Sequence, residues 1–145
     1  MIENEYRYNL TRSQAARFEQ ALAQLGEELE PGEVNGVHPL VRQAERNALA
    51  SQLRSLREEM AEYEALRTGK RRSFTLNSFD ELPTALIQAR IAAGLTQKQL
   101  AERLGLKEQQ IQRYEATGYA SASLKRVSAV IQALGLQVHE ELALR

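Results

Sequence analysis

The chain's candidate chemistry rests on amides, guanidiniums, ammoniums and carboxylates, because its hydroxyls and its two imidazoles show no reactive arrangement. Cysteine is absent, which removes disulfides and thiolate ligands. The two histidines, His38 and His139, stand a hundred residues apart with no companion at metal or catalytic spacing. No paired carboxylates, Ser/His or Cys/His arrangement suggests a reaction centre, so an enzyme is the least supported class. What remains is hydrogen bonding and charge. Glutamines 97, 109, 110 and 112 lie among Lys98, Lys107, Glu108 and Arg113 in one short stretch. In another setting such residues would be an ordinary wet helix face.

The setting is a pattern of small and apolar residues. Thr96-Gln97-Lys98-Gln99 has the form of a capping box, so a helix starts there. Leu100, Leu104, Leu106, Ile111 and Tyr114 supply apolar anchors. Ala101 is small where two helices must cross closely. Gly105 falls in the turn between them, where a left-handed backbone favours glycine. Ile111 points back into the core. The set Gln97, Ala101, Gly105, Ile111 is what two helices joined at about 90–120° by a short turn require. Helices over 82–93, 96–103, 107–116 and 121–134 would build the surrounding bundle.

Residues 83–136 therefore resemble the XRE family, the Cro and phage-repressor type of helix-turn-helix domain. The resemblance implies that 107–115 is a recognition helix entering the DNA major groove by its N-terminal end. It also implies that Glu108, Gln109, Gln112 and Arg113 face base edges. Glutamine suits adenine, arginine suits guanine, and glutamate can accept from cytosine N4. Gln97, Lys98, Lys107 and Lys125 would contact phosphates. Arg90 and Glu115 would form a partly buried ion pair that positions the recognition helix. Two positions depart from the family's usual text. Lys107 stands where a capping Ser or Thr is common, and lysine cannot cap. Gly118 comes one place late after the recognition helix, which puts phosphate contacts from 117–123 in question.

The elements before this domain read differently. Thr11-Arg12-Ser13-Gln14 fits a capping box, followed by an apolar stripe of Ala15, Phe18, Leu22, Leu25 and Leu29. Pro31-Gly32 and Asn35-Gly36 mark a loop. His38-Pro39 opens a second helix with no Gly or further Pro until Gly69. His38 is expected to serve the backbone at that start. Leu49, Leu53, Leu56, Met60 and Tyr63 form a coiled-coil-like seam, and Arg54 and Glu58 are spaced to pair. This seam is either the inside of a hairpin with the first helix or a dimer or partner surface. Thr68–Ser73 reads as a basic linker, and Ser78 with Glu81 as another capping box ahead of Pro83.

The expected fold is thus all-α: an N-terminal helical hairpin with one long helix, then a lambda-repressor-like bundle of four or five helices. The expected divisions are 1–68, a linker at 69–78, and 79–145. At 43% hydrophobic and 26% charged the chain has a globular composition. No apolar run reaches membrane-spanning length, and no signal-peptide pattern opens the chain, so a cytoplasmic protein is the simplest reading. No cofactor and no metal is expected.

The net charge of zero hides an asymmetry. Residues 1–67 hold 8 Lys/Arg against 12 Asp/Glu; residues 68–145 hold 11 against 7. The basic half is the candidate for phosphate. Glu27, Glu28, Glu30 and Glu33 cluster in the acidic half, as a solvated patch or a docking point for a basic protein. The domain order resembles HigA-type antitoxins, which implies an RNase toxin of the HigB type, generally basic, as partner. The alternative is a stand-alone regulator whose first helices only dimerise it. A homodimer reading an inverted repeat is expected in both cases.

Overall fold

The computed structural model describes residues 1–27 and 36–145. Among the described residues the secondary structure is helical, with α1 at Glu5–Glu27, α2 at Pro39–Arg67, α3 at Leu82–Ala92, α4 at Gln97–Leu104, α5 at Glu108–Ala116 and α6 at Leu124–Ala133. None of them is long and apolar enough to cross a membrane. The chain divides into two compact units, Met1–Glu64 and Ala65–Arg145.

The first unit is an antiparallel hairpin of α1 and α2. α1 starts before the capping box read at Thr11, which lies inside the helix. Asn4 is the cap: its Oδ1 accepts the N–H of Arg7 at 2.8 Å, and Glu5 places an acid in the first turn. α2 starts at Pro39, whose ring suits the first helical position. His38 Nδ1 accepts the N–H of Leu40 at 3.1 Å, a local backbone role. Ala15, Leu53 and Tyr63 are buried, while Phe18, Leu22, Leu25, Leu49, Leu56 and Met60 are only half-buried. Tyr8 stacks on Tyr63 with ring centroids 5.3 Å apart, and its hydroxyl donates to Glu64. Arg54 and Glu58 form no ion pair. Arg57 reaches across to Glu19 at 2.7 Å instead. Leu29, the 31–35 loop signals and the side chains of the 27–33 acidic cluster lie outside the described residues.

The second unit is a four-helix bundle preceded by a 3-10 turn at Phe79–Glu81. Its largest fully buried side chains are Leu86, Leu100, Ile111 and Val130, one from each of α3, α4, α5 and α6. Ala101 is buried beside them, which lets α4 and α5 approach closely. The capping box read at Ser78 does not form, since the Ser78 side chain makes no cap bond. Glu81 instead accepts the N–H of Asn77 at 2.9 Å. α6 starts at Leu124 rather than 121, capped by Ser123 Oγ on the Arg126 N–H.

All four helices stop in the same way. A glycine is followed by a residue whose N–H bonds a carbonyl five residues back: Leu95 to Arg90, Leu106 to Ala101, Tyr119 to Tyr114, Leu136 to Ile131. This is the wrapping bond of a Schellman ending, and its following side chain is apolar or aromatic each time. Gly105, at φ 67° and ψ 30°, is the left-handed position that turns α4 into α5.

Candidate nucleic-acid interface

The site is built around α5, whose two faces have different environments. Ile111 and Glu115 are buried and Tyr114 is half-buried. Glu108, Gln109, Gln112, Arg113 and Ala116 are exposed. These positions recur with helical spacing, so the glutamines, the arginine and the glutamate share one solvent face. Along it, Gln112 Nε2 approaches Glu108 Oε1 at 3.4 Å, a loose i,i+4 contact. Lys98 in the first turn of α4, Lys107 just before α5 and Lys125 in the first turn of α6 are exposed as well.

Capping sets where α4 and α5 begin. Thr96 accepts the Gln99 N–H at 3.1 Å while Gln99 accepts the Thr96 N–H at 2.9 Å, a complete capping box. At α5 only half of that device operates. Lys107 has no acceptor to offer, but Gln110 Oε1 takes the Lys107 N–H at 3.2 Å. Gln110, though exposed, is thereby tied to the helix start.

The orientation of α5 depends on a buried polar cluster. The Arg90 Nε and Nη2 donate to the two oxygens of Glu115 at 2.5 and 3.0 Å, a bidentate pair with side chains 3% and 0% exposed. Arg90 Nη1 also donates to the carbonyl of Leu95 at 2.8 Å. A carboxylate removed from water needs more than one donor. The next is Gln97, whose Nε2 donates to Glu115 Oε2 at 2.7 Å. Gln97 is only 4% exposed. Its side chain thus meets the cluster, where the resemblance had aimed it at phosphate. The cluster joins α3, α4 and α5 and fixes how the last sits on the other two.

Tyr119 was not singled out from sequence, although it stands five residues after Tyr114. It is buried, stacks on Tyr114 at 5.8 Å, and carries φ 58°, in the left-handed region. Burial, then the nearby Glu115 charge, raises its phenol well above the ordinary value. With Gly118 at φ 60°, two successive left-handed residues turn the chain away from α5. The displaced glycine therefore belongs to the same type of ending as the other three helices, with a tyrosine where they carry leucine. Arg103, also unremarked in sequence, donates to the carbonyl of Ala133 at 2.9 Å and so ties α4 to the end of α6.

Residues 86–140 match the Helix-turn-helix family, under half of the chain. No curated protein and no solved structure matches the chain. The matched segment holds α4, α5, the turn at Gly105 and the buried cluster, apart from the start of α3.

Proposed function

From a DNA-binding helix-turn-helix domain of the XRE type at 86–140, we propose that the protein is a sequence-specific transcriptional repressor that binds an inverted repeat as a homodimer. The observation that carries this reading is the outward face of α5. Its side chains are of base-reading types, while every buried position of the helix serves the domain's interior. In this reading Arg113 pairs with a guanine, Gln109 and Gln112 with adenines, and Glu108 with a cytosine amine. Lys98, Lys107 and Lys125 neutralise phosphates on either side. Gln97 acts from inside, holding Glu115 and so the angle of α5. One such helix reads too few base pairs to specify a genomic site, which is why two copies are required. Selection from random duplexes followed by footprinting tests this. The expected result is two half-sites about 34 Å apart in inverted orientation. A single unrepeated site, or no sequence preference, defeats it.

The narrower reading, an antitoxin that neutralises a HigB-type RNase, draws its support from domain order and from the opposite charge of the two halves. In the first unit, a groove of about 420 Å³ lined by Leu22, Ala50, Leu53, Arg54, Arg57, Glu58 and Ala61 offers an apolar floor. Its rim carries two arginines and one glutamate, which suits a basic partner poorly. Co-purification with the product of the adjacent gene decides between an antitoxin and a stand-alone regulator.

A further inference from the structure

The cations of the second half are not spread evenly. Residues 68–145 hold 11 Lys/Arg against 7 Asp/Glu, and Lys70, Arg71 and Arg72 stand side by side among them. Without these three the count would be 8 against 7, so most of the excess lies in one run. That run precedes residues 86–140, the segment that matches the Helix-turn-helix family, and the interface described above does not use it. A solvated tether between two units would account for three charges in a loop. The local structure is instead that of a held segment.

Two devices fix the residues that follow α2. Gly69, at φ 68°, takes a left-handed position and donates its N–H to the carbonyl of Leu66 at 3.0 Å. Thr68 Oγ1 donates to the carbonyl of Ala65 at 2.7 Å and accepts the N–H of Lys70 at 3.3 Å. Gly69 also lies against the end of α3, where a β-carbon on it would sit 3.3 Å from the carbonyl oxygen of Ala92. The run therefore begins beside the corner between α3 and α4. The same corner leads through Thr96 into the first turn of α4, where the reading above sets Lys98 against phosphate. From Ala92 to Lys98 the chain can span at most about 22 Å.

The three side chains are all exposed but are not equivalent. The Arg71 guanidinium lies 4.7 Å from the centroid of the Phe74 ring, a cation–π contact. Among the described residues Lys70 and Arg72 have no ion-pair partner. Adjacent like charges repel one another, and a polyanion relieves that repulsion while it sheds its own counterions. Reading a base edge requires a side-chain tip held in one geometry, and no hydrogen bond holds the tip of Lys70 or Arg72. Their chemistry suits phosphate, which positions a protein on a duplex without selecting sequence.

We infer that Lys70 and Arg72 are a second phosphate-binding element, pinned by Gly69 beside the α3–α4 corner, that grips the sugar-phosphate backbone next to the contact of Lys98. This rests on the DNA-binding reading above and extends the interface to residues that precede the matched segment. It adds affinity and leaves sequence choice to α5.

The test uses the full chain with Lys70→Ala and Arg72→Ala together. Affinity for a selected duplex and for a random duplex is measured by fluorescence anisotropy between about 50 and 200 mM salt. Each lost phosphate contact lowers the salt slope by about 0.9. The affinity that the unaltered chain loses over that range should therefore shrink about tenfold per bound chain in the variant, for both duplexes alike. Arg7→Ala with Arg17→Ala removes the same charge from exposed positions of α1 and should leave the slope as it was. Circular dichroism should show the same helical content in both variants, because all four side chains are exposed. An unchanged slope for the 70 and 72 pair would overturn the inference, as would an equal change for the 7 and 17 pair. A loss confined to the selected duplex would overturn it too, by assigning base reading to the run. Those three results leave the DNA-binding reading standing. An unaltered chain that binds neither duplex at the lowest salt defeats both.

Discussion

The first unit joins two helices of 23 and 29 residues, yet among the described residues its buried apolar side chains are Ile2, Ala15, Leu53 and Tyr63. The second unit has helices of only 8 to 11 residues, and each contributes a fully buried side chain to one centre. Helices that short do not persist alone in water; packing and caps hold them. Long helices can persist with a shallow seam and leave much of it half-exposed. The second unit therefore depends on a few interior contacts, and the first spreads its stability thinly. A domain that must present one helix at a set angle gains from the former construction. Substitutions that probe the two units alike make this contrast measurable.

The largest effect belongs to the buried cluster. Glu115→Ala removes the carboxylate that Arg90 and Gln97 share, and should destabilise the second unit by about 3–5 kcal/mol. Thermal unfolding of the full chain should show one unit melting early. Replacing Arg90 and Glu115 together by apolar residues should cost less than the sum of the single changes. Additivity would mean that the pair does not hold the domain together.

Next is the same deletion in both cores. Leu100→Ala empties a site closed on all sides and should cost about 2–5 kcal/mol. Leu53 lines the open groove of the hairpin, where neighbours can relax and water can enter, so Leu53→Ala should fall at or below the low end of that range. Denaturant titration reads both, and equal losses would erase the contrast between the units.

The features legible in sequence were those with local causes. Pro39 and Gly69 bracket α2 because proline suits a first turn and glycine an ending. Thr96 with Gln99, and Gly105, announce α4 and its turn through bonds within four residues. Features that failed depended on competition between local options or on distant partners. Thr11 and Gln14 have capping chemistry, but Asn4 starts the helix earlier and turns them into interior residues. Ser78 and Glu81 have it too, but Glu81 bonds Asn77 instead. Gln97 has the residue type for a phosphate contact. Its inward turn depends on Glu115, 18 residues away, which the text of α4 does not reveal.

The two faces of α5 sharpen the comparison within one helix. Arg113→Ala leaves the interior untouched, so stability should hold while DNA affinity falls by about 1–3 kcal/mol and sequence choice relaxes. Lys98→Ala should weaken all sequences alike and reduce the salt slope by about one unit. A stability loss for Arg113→Ala comparable with that of Glu115→Ala would put both residues on the same side of the helix.

A pH titration separates the units with a smaller effect. The Tyr119 phenol has an ordinary value of 10.0 when unfolded and a raised one when folded. Its stabilising share is whole below the unfolded value. It is lost as pH rises from there toward the folded value, because only the unfolded chain then releases the proton. The second unit should weaken above about pH 10, and Tyr119→Phe should flatten that decline. A decline of the same size in the variant would assign it to other groups.

The smallest expected effect is at the surface of the hairpin. Arg57 and Glu19 meet at 2.7 Å, closer than the Arg90 Nη2–Glu115 Oε2 contact, but their side chains are 60% and 50% exposed. Water and salt screen such a pair, and holding two long side chains in one geometry costs entropy. Arg57→Ala should therefore change stability by no more than about 0–1 kcal/mol, with the difference shrinking in added salt. Set beside Glu115→Ala, this compares two arginine–carboxylate pairs of similar length in one chain. If burial decides the cost of breaking an ion pair, the two losses differ several-fold. A loss at Arg57 equal to that at Glu115 would show that the hairpin, too, depends on single contacts, and the distinction between a thinly held unit and a centred one would fall.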